Sequence, residues 1–295
     1  MTGTAYMRVL HPAPHVLAFY DGRIPGHRFA PGPNWVDDGA LSLGIASYAL
    51  VDRGEALIYD THVSTDHAQF IRDHLAGLGV TQFTVVLSHW HLDHVAGTGV
   101  FADCTVIANK RTAAHLARRR AAIETGSDHG PPAIKPLIEP THSFTGRAHI
   151  HVGSLHIDLI EANIHSDDAT VIWLGQGRLL LAGDTVEDCV TYVGEPENFA
   201  RHLADLDRLA ALHPARILPN HGDPDRIAAG GYGADLLPAT QDYIGKLLAS
   251  RTDATLRAAP LSDWIAPQLA AGTLHWFAPY EAVHANNLTK VPALP

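Results

Sequence analysis

The 295-residue sequence predicts an α/β protein in which helices cover the faces of β-sheets. Short apolar runs alternate with amphipathic helical segments, and the order strands, helix, strand, helix occurs twice. Hydrophobic residues make up 46% of the chain and charged residues 18%, which is typical of a globular protein. We find no linker, so we predict one domain over residues 1–295, with a mainly helical C-terminal extension from about residue 234.

Strands and a long loop are predicted near the start of the chain. Residues 15–22 (HVLAFYDG) have a strand-like composition before a turn, and residues 45–60 predict two strands joined by a turn. Residues 21–42 between them are rich in glycine and proline and lack periodicity, so we expect a loop. A loop of this length inside a compact domain often has a functional role.

Helices and strands alternate over the middle of the chain. Residues 64–79 are expected to form a helix, and the candidates for its N-cap are Ser64, Thr65 and Asp66. The almost fully apolar run 83–88 (FTVVLS) predicts a strand that is buried on both faces. Residues 104–110 predict a further strand, and residues 111–126 predict a helix.

Two hairpins, a helix and a strand are predicted in the second half of the chain, at residues 149–162, 169–184, 197–212 and 215–220. A proline-rich loop, residues 127–142, precedes them. The apolar face expected for the helix consists of Phe199, Leu203, Leu206 and Leu209. After the helical extension, the chain is expected to end in an irregular tail, residues 275–295.

The charge and the cysteine content restrict the classes of partner. A formal net charge of −10 disfavours nucleic acid and anionic membranes, and the local basic cluster of Arg111 and Arg118–Arg120 is expected to be a solvated helix face. Two cysteines are too few for a disulfide scaffold, and we see neither a signal peptide nor a membrane span. We therefore expect a cytoplasmic protein that acts on a small molecule, with a homodimer as an open alternative.

Ligand-type side chains are concentrated in residues 87–97, LSHWHLDHVAG, directly after an apolar strand-like run. The chain has 21 histidines, so chance clustering is the alternative explanation. Four other apolar runs also end in a single histidine or aspartate, and these residues are Asp60, His165, Asp184 and His221. Strand ends can hold side chains that converge on one point.

The residue types in this pattern are typical of a metal site. Imidazole and carboxylate ligands suit zinc and related first-row metals. His89 and His91 are two residues apart and can face the same way, whereas Asp93 and His94 follow as the chain turns. The cluster can therefore supply ligands to two adjacent metals.

The H-x-H-x-D-H sequence, the distant histidine, the aspartate of AGDT and the histidine of PNHGD together resemble the metallo-β-lactamase-fold superfamily of hydrolases. The resemblance covers roughly residues 12–250. It implies an αββα four-layer sandwich of two mixed β-sheets flanked by helices, with the metals at one edge of the sheets.

The resemblance also implies seven ligands for two zinc ions, with iron or manganese as alternatives at the same ligands. Those assigned to one metal are His89, His91 and His165. Those assigned to the other metal are Asp93, His94 and His221, and Asp184 bridges the two. Asp60 matches a residue that orients a ligand histidine without binding the metal.

Departures from the subfamilies narrow the expected activity. The stretch around His165 looks like that of the zinc β-lactamases, yet those enzymes use cysteine where this chain has Asp184 and lack the histidine at position 94. Another lactamase subclass keeps H-x-H-x-D-H but lacks the bridging aspartate. The complete ligand set is most similar to the lactonase, glyoxalase-II-like and general hydrolase branches.

We therefore expect a dinuclear zinc-dependent hydrolase that uses a metal-bridging hydroxide to cleave a small cyclic ester or amide, a lactone rather than a β-lactam. Asp93 is expected to pass a proton to the leaving group. Tyr192 is similar in position to a tyrosine of the superfamily's lactonases, and its hydroxyl would stabilise the developing oxyanion. A packed loop tyrosine is the alternative.

Other functions and residues remain open. One alternative is a thioesterase of the glyoxalase II kind, which would need a basic patch, although few lysines or arginines follow residue 230. Another is a non-catalytic sensor or scaffold on the same fold. Trp35 and Phe29 are candidates for an apolar substrate wall. Three residues of the tail are spaced as on one face of a helix, and these are Tyr280, His284 and Asn287. They either close over the site or have a packing role.

Overall fold

Two β-sheets pack face to face in the computed structural model, which describes residues 3–292. The inward faces of both sheets contribute to one apolar core, to which the first sheet gives Tyr48, Leu50 and Leu57 and the second gives Leu159 and Leu181. Helices cover the outer faces. The predicted αββα arrangement of two mixed sheets flanked by helices is confirmed.

The first sheet has seven strands in chain order, antiparallel from β1 to β4 and parallel from β4 to β7. They are β1 (Arg8–Ala13), β2 (Val16–Asp21), β3 (Ile45–Asp52), β4 (Glu55–Tyr59), β5 (Gln82–Val86), β6 (Thr105–Asn109) and β7 (His142–Phe144). The second sheet has the order β12-β11-β10-β9-β8, in which only the β11–β12 pair is parallel. They are β8 (Arg147–Val152), β9 (Leu155–Ile164), β10 (Ser166–Leu174), β11 (Leu179–Gly183) and β12 (Arg216–Pro219).

Ten α-helices lie in the described residues. They are α1 (Thr65–Gly77), α2 (Leu92–Val95), α3 (Lys110–Thr125), α4 (Phe199–Ala210), α5 (Pro224–Ala228), α6 (Leu236–Ala249), α7 (Ala254–Ala258), α8 (Leu261–Trp264), α9 (Ala266–Ala270) and α10 (Tyr280–Lys290). Helices α1 and α3 share an apolar cluster with the outer face of the first sheet, and α4 packs on β9 of the second. Within residues 3–292, none of the helices is both long and apolar enough to cross a membrane.

Side-chain caps mark the first residues of α1 and α3. The Ser64 hydroxyl accepts a hydrogen bond from the His67 amide at the start of α1, which confirms the predicted cap. The side chain of Asn109 accepts from the amides of Arg111 and Thr112 at the start of α3. The residue directly before each of these two helices is therefore its cap, Ser64 for α1 and Asn109 for α3.

Buried tyrosine hydroxyls join the first sheet to β10, to the end of β12 and to the loop that follows β12. Burial is the main cause that raises the pKa of each hydroxyl, so each stays a donor at neutral pH. The bonds run from Tyr20 to the Gly222 carbonyl (2.9 Å), from Tyr48 to the Pro219 carbonyl (2.5 Å) and from Tyr59 to the Thr170 carbonyl (2.5 Å). These bonds fix the relative height of strand ends in the two sheets.

Three expectations about local structure are wrong, and one strand was missed. Residues 21–42 are not wholly a loop, because a short π-helical turn spans Val36–Leu41, where its apolar residues are buried. β1 pairs with β2 and was not expected from the sequence. The predicted strand 83–88 is not fully buried on both faces, because Phe83 and Thr84 are only half-buried. Residues 275–292 are not irregular, since they contain α10, and residues 293–295 of the expected tail lie outside the described part.

The buried face of α4 also differs from the expected one. Leu203 is only half-buried, whereas His202 and Asp205 lie on the buried side with Phe199 and Leu206. Asp205 is satisfied there because it bonds the Asn163 amide and Arg208. Both ring nitrogens of His202 are buried without a hydrogen-bond partner in the part of the chain that the structure describes. Burial, the largest cause, lowers the pKa of His202 to about 4.

Replacing His202 with leucine should remove part of the acid sensitivity of the fold. Between pH 6.5 and 4 the unfolded chain protonates this histidine and the native chain does not, so the free energy of unfolding falls as the pH falls, by about 3 kcal/mol in full. We expect His202→Leu to be more stable than the wild type at pH 4.5 and closer to it at pH 7. Urea unfolding of the metal-free protein at both pH values measures this.

The exposed His142 offers a matched control. His142→Leu should follow the pH dependence of the wild type. If His202→Leu and the wild type lost stability in parallel as the pH fell, the burial of an uncharged His202 would not be the cause.

Candidate metal centre

All the predicted ligand residues lie at one edge of the two sheets, where strands end. Residues 88–94 follow β5, Asp184 follows β11, and His221 lies two residues beyond β12. His165 occupies the single position between β9 and β10. Loops at strand ends are short here, so the scaffold holds each side chain rigidly.

Three histidines form the first group of candidate ligands. One nitrogen from each of His89, His91 and His165 lies within 4.8 Å of the others. The Nε2 atom of His165 is 2.9 Å from Nδ1 of His91. These are the three residues that the sequence assigned to one metal.

The second group consists of Asp93, His94 and His221, whose ligand atoms also lie within 4.8 Å of one another. Oδ2 of Asp93 is 3.5 Å from Nε2 of His94 and 3.4 Å from Nε2 of His221. Asp93 is the most accessible member, with 18% of its side chain exposed. The group matches the set assigned to the second metal.

Asp184 lies between the two groups. Its Oδ2 atom is 3.0 Å from Nε2 of His94 and 3.5 Å from Nε2 of His221 in the second group. The same atom is 3.6 Å from Nε2 of His89 and 3.7 Å from Nε2 of His165 in the first group. One carboxylate is therefore shared by both groups, which is the position of the predicted bridging residue.

Most of the histidines are oriented by a bond from the ring nitrogen that faces away from the centre. The partners of Nδ1 are an Asp60 oxygen for His94 (2.9 Å), the Tyr192 carbonyl for His165 (2.8 Å), the Gly44 carbonyl for His221 (2.7 Å) and the Ser88 hydroxyl for His89 (2.9 Å). In a neutral ring whose Nδ1–H donates to a carbonyl or carboxylate oxygen, the proton stays on Nδ1 and Nε2 keeps its lone pair. The arrangement turns these Nε2 atoms toward one point.

Asp60 lies behind the centre, as the sequence predicted. Its Oδ1 atom accepts from the Ser88 amide (2.7 Å), and its Oδ2 atom accepts from Asn220 (2.6 Å) in addition to His94. Asp60 and His165 both have positive φ angles, +67° and +68°. Such angles are strained for residues other than glycine, and strain of this kind accumulates at functional sites.

The protonation states suit metal ligands. Burial is the largest cause that lowers the pKa of His89, His91 and His165, so these rings stay neutral. Burial opposes ionisation of Asp184 too, but the His94 and His221 imidazoles outweigh it and hold the pKa of Asp184 well below its usual value. Burial also disfavours the charged forms of His94 and His221, but the Asp184 carboxylate outweighs it and holds the pKa of both rings well above the usual value. Neutral imidazole and ionised carboxylate are the forms that bind divalent cations, so these two rings would each release a proton when a cation binds.

Two buried atoms in the centre have no hydrogen-bond partner among the described residues, Nε2 of His89 and Oδ1 of Asp184. An unpaired buried polar atom is costly, so each requires an explanation such as an ion. Both belong to the groups that could hold a metal. The donor set and these unpaired atoms fit divalent cations.

A cavity of about 1160 Å³ opens onto the centre. Its walls come from residues 22–28 and 35–43 of the early loop, from Trp90, and from residues 277–286 near the C-terminus. Trp35 lines the cavity as expected, whereas Phe29 packs beside Val36 and Leu41. Tyr192 is half-buried at the cavity wall, and its ring centre is 5.9 Å from that of His165.

Sequence reasoning missed Glu187, which lines the cavity beside the centre. Its carboxyl group accepts from the Tyr192 amide (3.1 Å) and from the Tyr280 hydroxyl (3.0 Å). Burial, the largest cause, raises its pKa to about 7. The only sequence signal was its place three residues after Asp184, in the loop that follows β11.

The basic cluster on α3 is neutralised by nearby acids. Arg119 lies 3.2 Å from a carboxylate oxygen of Asp128, and Arg120 lies 3.0 Å from one of Glu139. Exposed pairs of this kind add little stability, but they balance the local charge. This face therefore presents alternating charges rather than a basic surface.

Residues 42–221 match the family described as the metallo-beta-lactamase superfamily. The chain is 27% identical over 203 residues to the beta-lactamase-like protein 2 homolog of Caenorhabditis elegans and 23% identical over 146 residues to that of Drosophila melanogaster. These alignments cover 68% and 48% of this chain. The chain spans only 60% and 44% of the length of those two relatives.

Solved structures of metallo-β-lactamases share the fold. DIM-1 metallo-β-lactamase exposed to ceftazidime superposes with a TM-score of 0.60 at 19% identity, covering 81% of this chain and 97% of that chain. The metallo-β-lactamase from Pontibacter korlensis superposes with a TM-score of 0.62 at 15% identity, covering 81% and 99%. From the match over residues 42–221, this chain belongs to the metallo-β-lactamase superfamily, whose members are generally metal-dependent hydrolases.

Proposed function

We propose that the chain is a dinuclear metal-dependent hydrolase that cleaves a small cyclic ester or amide, a lactone rather than a β-lactam. The observation that carries the proposal is the position of Asp184, whose Oδ2 atom lies 3.0 to 3.7 Å from Nε2 of histidines in both ligand groups. A carboxylate shared in this way suits two adjacent cations. Zinc is the expected metal, and iron or manganese suits the same ligands.

Metal ions at such a site lower the pKa of a water molecule and polarise a carbonyl group. In this chain His89, His91 and His165 would hold one ion. Asp93, His94 and His221 would hold the other, with Asp184 between them. The buried bonds behind the histidines fix the ligands before a substrate enters, so that little reorganisation accompanies the reaction.

Asp93 and Tyr192 are the candidates for proton transfer and charge stabilisation. Asp93 lines the cavity, and the His94 and His221 imidazoles hold the pKa of this carboxyl well below its usual value despite burial. A carboxylate with a lowered pKa is a weak base, so Asp93 would pass a proton to the leaving group only once it loosens from its metal. Burial raises the pKa of Tyr192, so its hydroxyl remains a donor for a developing oxyanion at the cavity wall.

The cavity walls favour a compact substrate with apolar parts. Trp35, Trp90 and Phe277 line the space beside the centre. The two arginines among the lining residues are engaged by the protein. Arg23 donates to the carbonyls of Leu43 and Asp188, and Arg28 lies 3.4 Å from Asp37. Because both arginines already have partners, the cavity gives little support to binding of an acidic thioester by an enzyme of the glyoxalase II kind.

The choice of a lactone over a β-lactam rests on Asp184, which stands where the resemblance expects cysteine in zinc β-lactamases. All the predicted ligand residues lie together, which argues against a non-catalytic scaffold. A scaffold has no need to keep a buried ligand atom without a hydrogen-bond partner, such as Nε2 of His89.

Zinc reconstitution followed by metal analysis and a substrate panel tests the proposal. We expect about two zinc ions per chain and faster hydrolysis of a lactone than of a cephalosporin-type lactam, a glutathione thioester or a phosphodiester. His91→Ala should lower activity about a hundredfold or more, since it removes a ligand. Binding of fewer than about one zinc ion per chain would rule out the dinuclear site, and full activity of His91→Ala would rule out the ligand assignment.

Tyr192→Phe tests the role of the hydroxyl. We expect kcat to fall about tenfold to a hundredfold with little change in KM, because the hydroxyl acts on charge that develops in the transition state. Steady-state kinetics on the best substrate of the panel measures both constants. Tyr6→Phe, at an exposed tyrosine, is the control and should match the wild type. An unchanged kcat in Tyr192→Phe would mean that the hydroxyl takes no part in the reaction and that Tyr192 is a packing residue.

A further inference from the structure

The side chain of Asn287 on α10 brackets Tyr192 from both sides. Its Nδ2 atom donates to the Thr191 carbonyl (3.0 Å), and its Oδ1 atom accepts from the Val193 amide (2.9 Å). The amide group thus pairs with the backbone as a neighbouring strand would. Asn287 is fully buried, so water does not compete for these bonds.

The bracketed segment is also held on either side of Tyr192, since the Thr191 hydroxyl donates to the Asp184 carbonyl (2.6 Å) and Val193 is buried in the core. Residues 190–195 belong to neither a helix nor a strand. The Tyr192 carbonyl is nevertheless the acceptor for Nδ1 of His165 (2.8 Å), and the Tyr192 amide donates to Glu187. The position of the group that orients a candidate metal ligand is therefore set by side-chain bonds, with Asn287 on both flanks.

α10 makes further buried hydrogen bonds, to Glu187 and to α6. The Tyr280 hydroxyl donates to Oε2 of Glu187 (3.0 Å), and Nδ2 of Asn287 also donates to the Tyr243 hydroxyl (3.0 Å). That hydroxyl in turn bonds Nδ1 of His284 (3.0 Å). Burial lowers the pKa of His284 to about 4, so the ring stays neutral and can accept the bond. Tyr280, His284 and Asn287, which share the buried face of α10, thus belong to one buried hydrogen-bond network.

We propose that Asn287 is a positioning residue of the metal centre, which fixes the orientation of His165 through the Tyr192 carbonyl. This inference rests on the proposed function in one respect, that His165 binds a metal. Asn287 lies 66 residues beyond the end of the region that matches the superfamily, residues 42–221. α10 is then part of the centre and not only a wall of the cavity.

The physical reason is the hydrogen bond that holds the proton on Nδ1 of His165. While Nδ1–H of His165 donates a hydrogen bond to the Tyr192 carbonyl, Nε2 presents its lone pair to the centre. Without the bracket, the backbone on both sides of Tyr192 loses one hydrogen bond each, so the carbonyl is held less firmly and the His165 imidazole is freer to rotate or change tautomer. Ordering the ligand then costs free energy at the moment of binding, so the metal affinity falls.

Asn287→Ala is the test, with zinc affinity measured by competition against a chromophoric chelator. We expect the affinity of one of the two zinc sites to fall about tenfold, because residues that orient a metal ligand contribute on this scale. The visible spectrum of the cobalt-substituted protein should change for the same site. Asn286→Ala is the matched control, since Asn286 is on the same helix and lines the cavity but is exposed. It should bind zinc like the wild type.

Asn287→Asp keeps the shape and an acceptor for the Val193 amide but loses the donor to Thr191. We expect its zinc affinity to lie between those of the wild type and Asn287→Ala, and it serves as the test if the alanine variant does not fold. Equal zinc affinity and an unchanged cobalt spectrum in a folded Asn287 variant would overturn the inference. If the wild-type chain bound no zinc, the proposed function would fail instead, so the two failures are distinguishable.

Discussion

The carboxylate of Asp60 joins three strand ends, and the geometry of the centre depends on it. It accepts from the Ser88 amide after β5, from His94 at the start of the next helix, and from Asn220 after β12. An unpaired buried carboxylate would cost several kcal/mol, so the chain must bring all of these donors together in order to fold. Folding therefore places His94, and with it the shared Asp184, before any ion binds.

The ligand positions could be predicted from the sequence because their signal is local. A histidine or aspartate at the end of an apolar run needs only the run itself to be recognised, as for His165 and His221. The groups that orient the ligands carry no such signal. Two of them are backbone carbonyls, of Gly44 and Tyr192, which every residue possesses. Glu187 gave no signal either, because its partners are chosen by the fold.

Errors in the predicted elements have the same cause. The face of α4 was expected from apolar spacing, but tertiary contacts bury Asp205 by pairing it with the Asn163 amide, and a ring without partners, His202, lies beside it. The C-terminal segment lacks a continuous apolar stripe, yet α10 forms because its polar residues are satisfied by groups 41 to 96 residues away. Sequence spacing correctly placed Tyr280, His284 and Asn287 on one face without revealing what that face touches.

The origin of the cavity walls has a consequence for how such a chain changes over time. Much of the wall comes from residues 22–41 and 277–286, outside residues 42–221, which match the superfamily and supply all the candidate ligands. Substrate preference could thus drift through exchange of terminal segments while the centre is inherited intact. The bracket around Tyr192 limits that freedom, because a replacement C-terminal segment must also restore an amide at the position of Asn287.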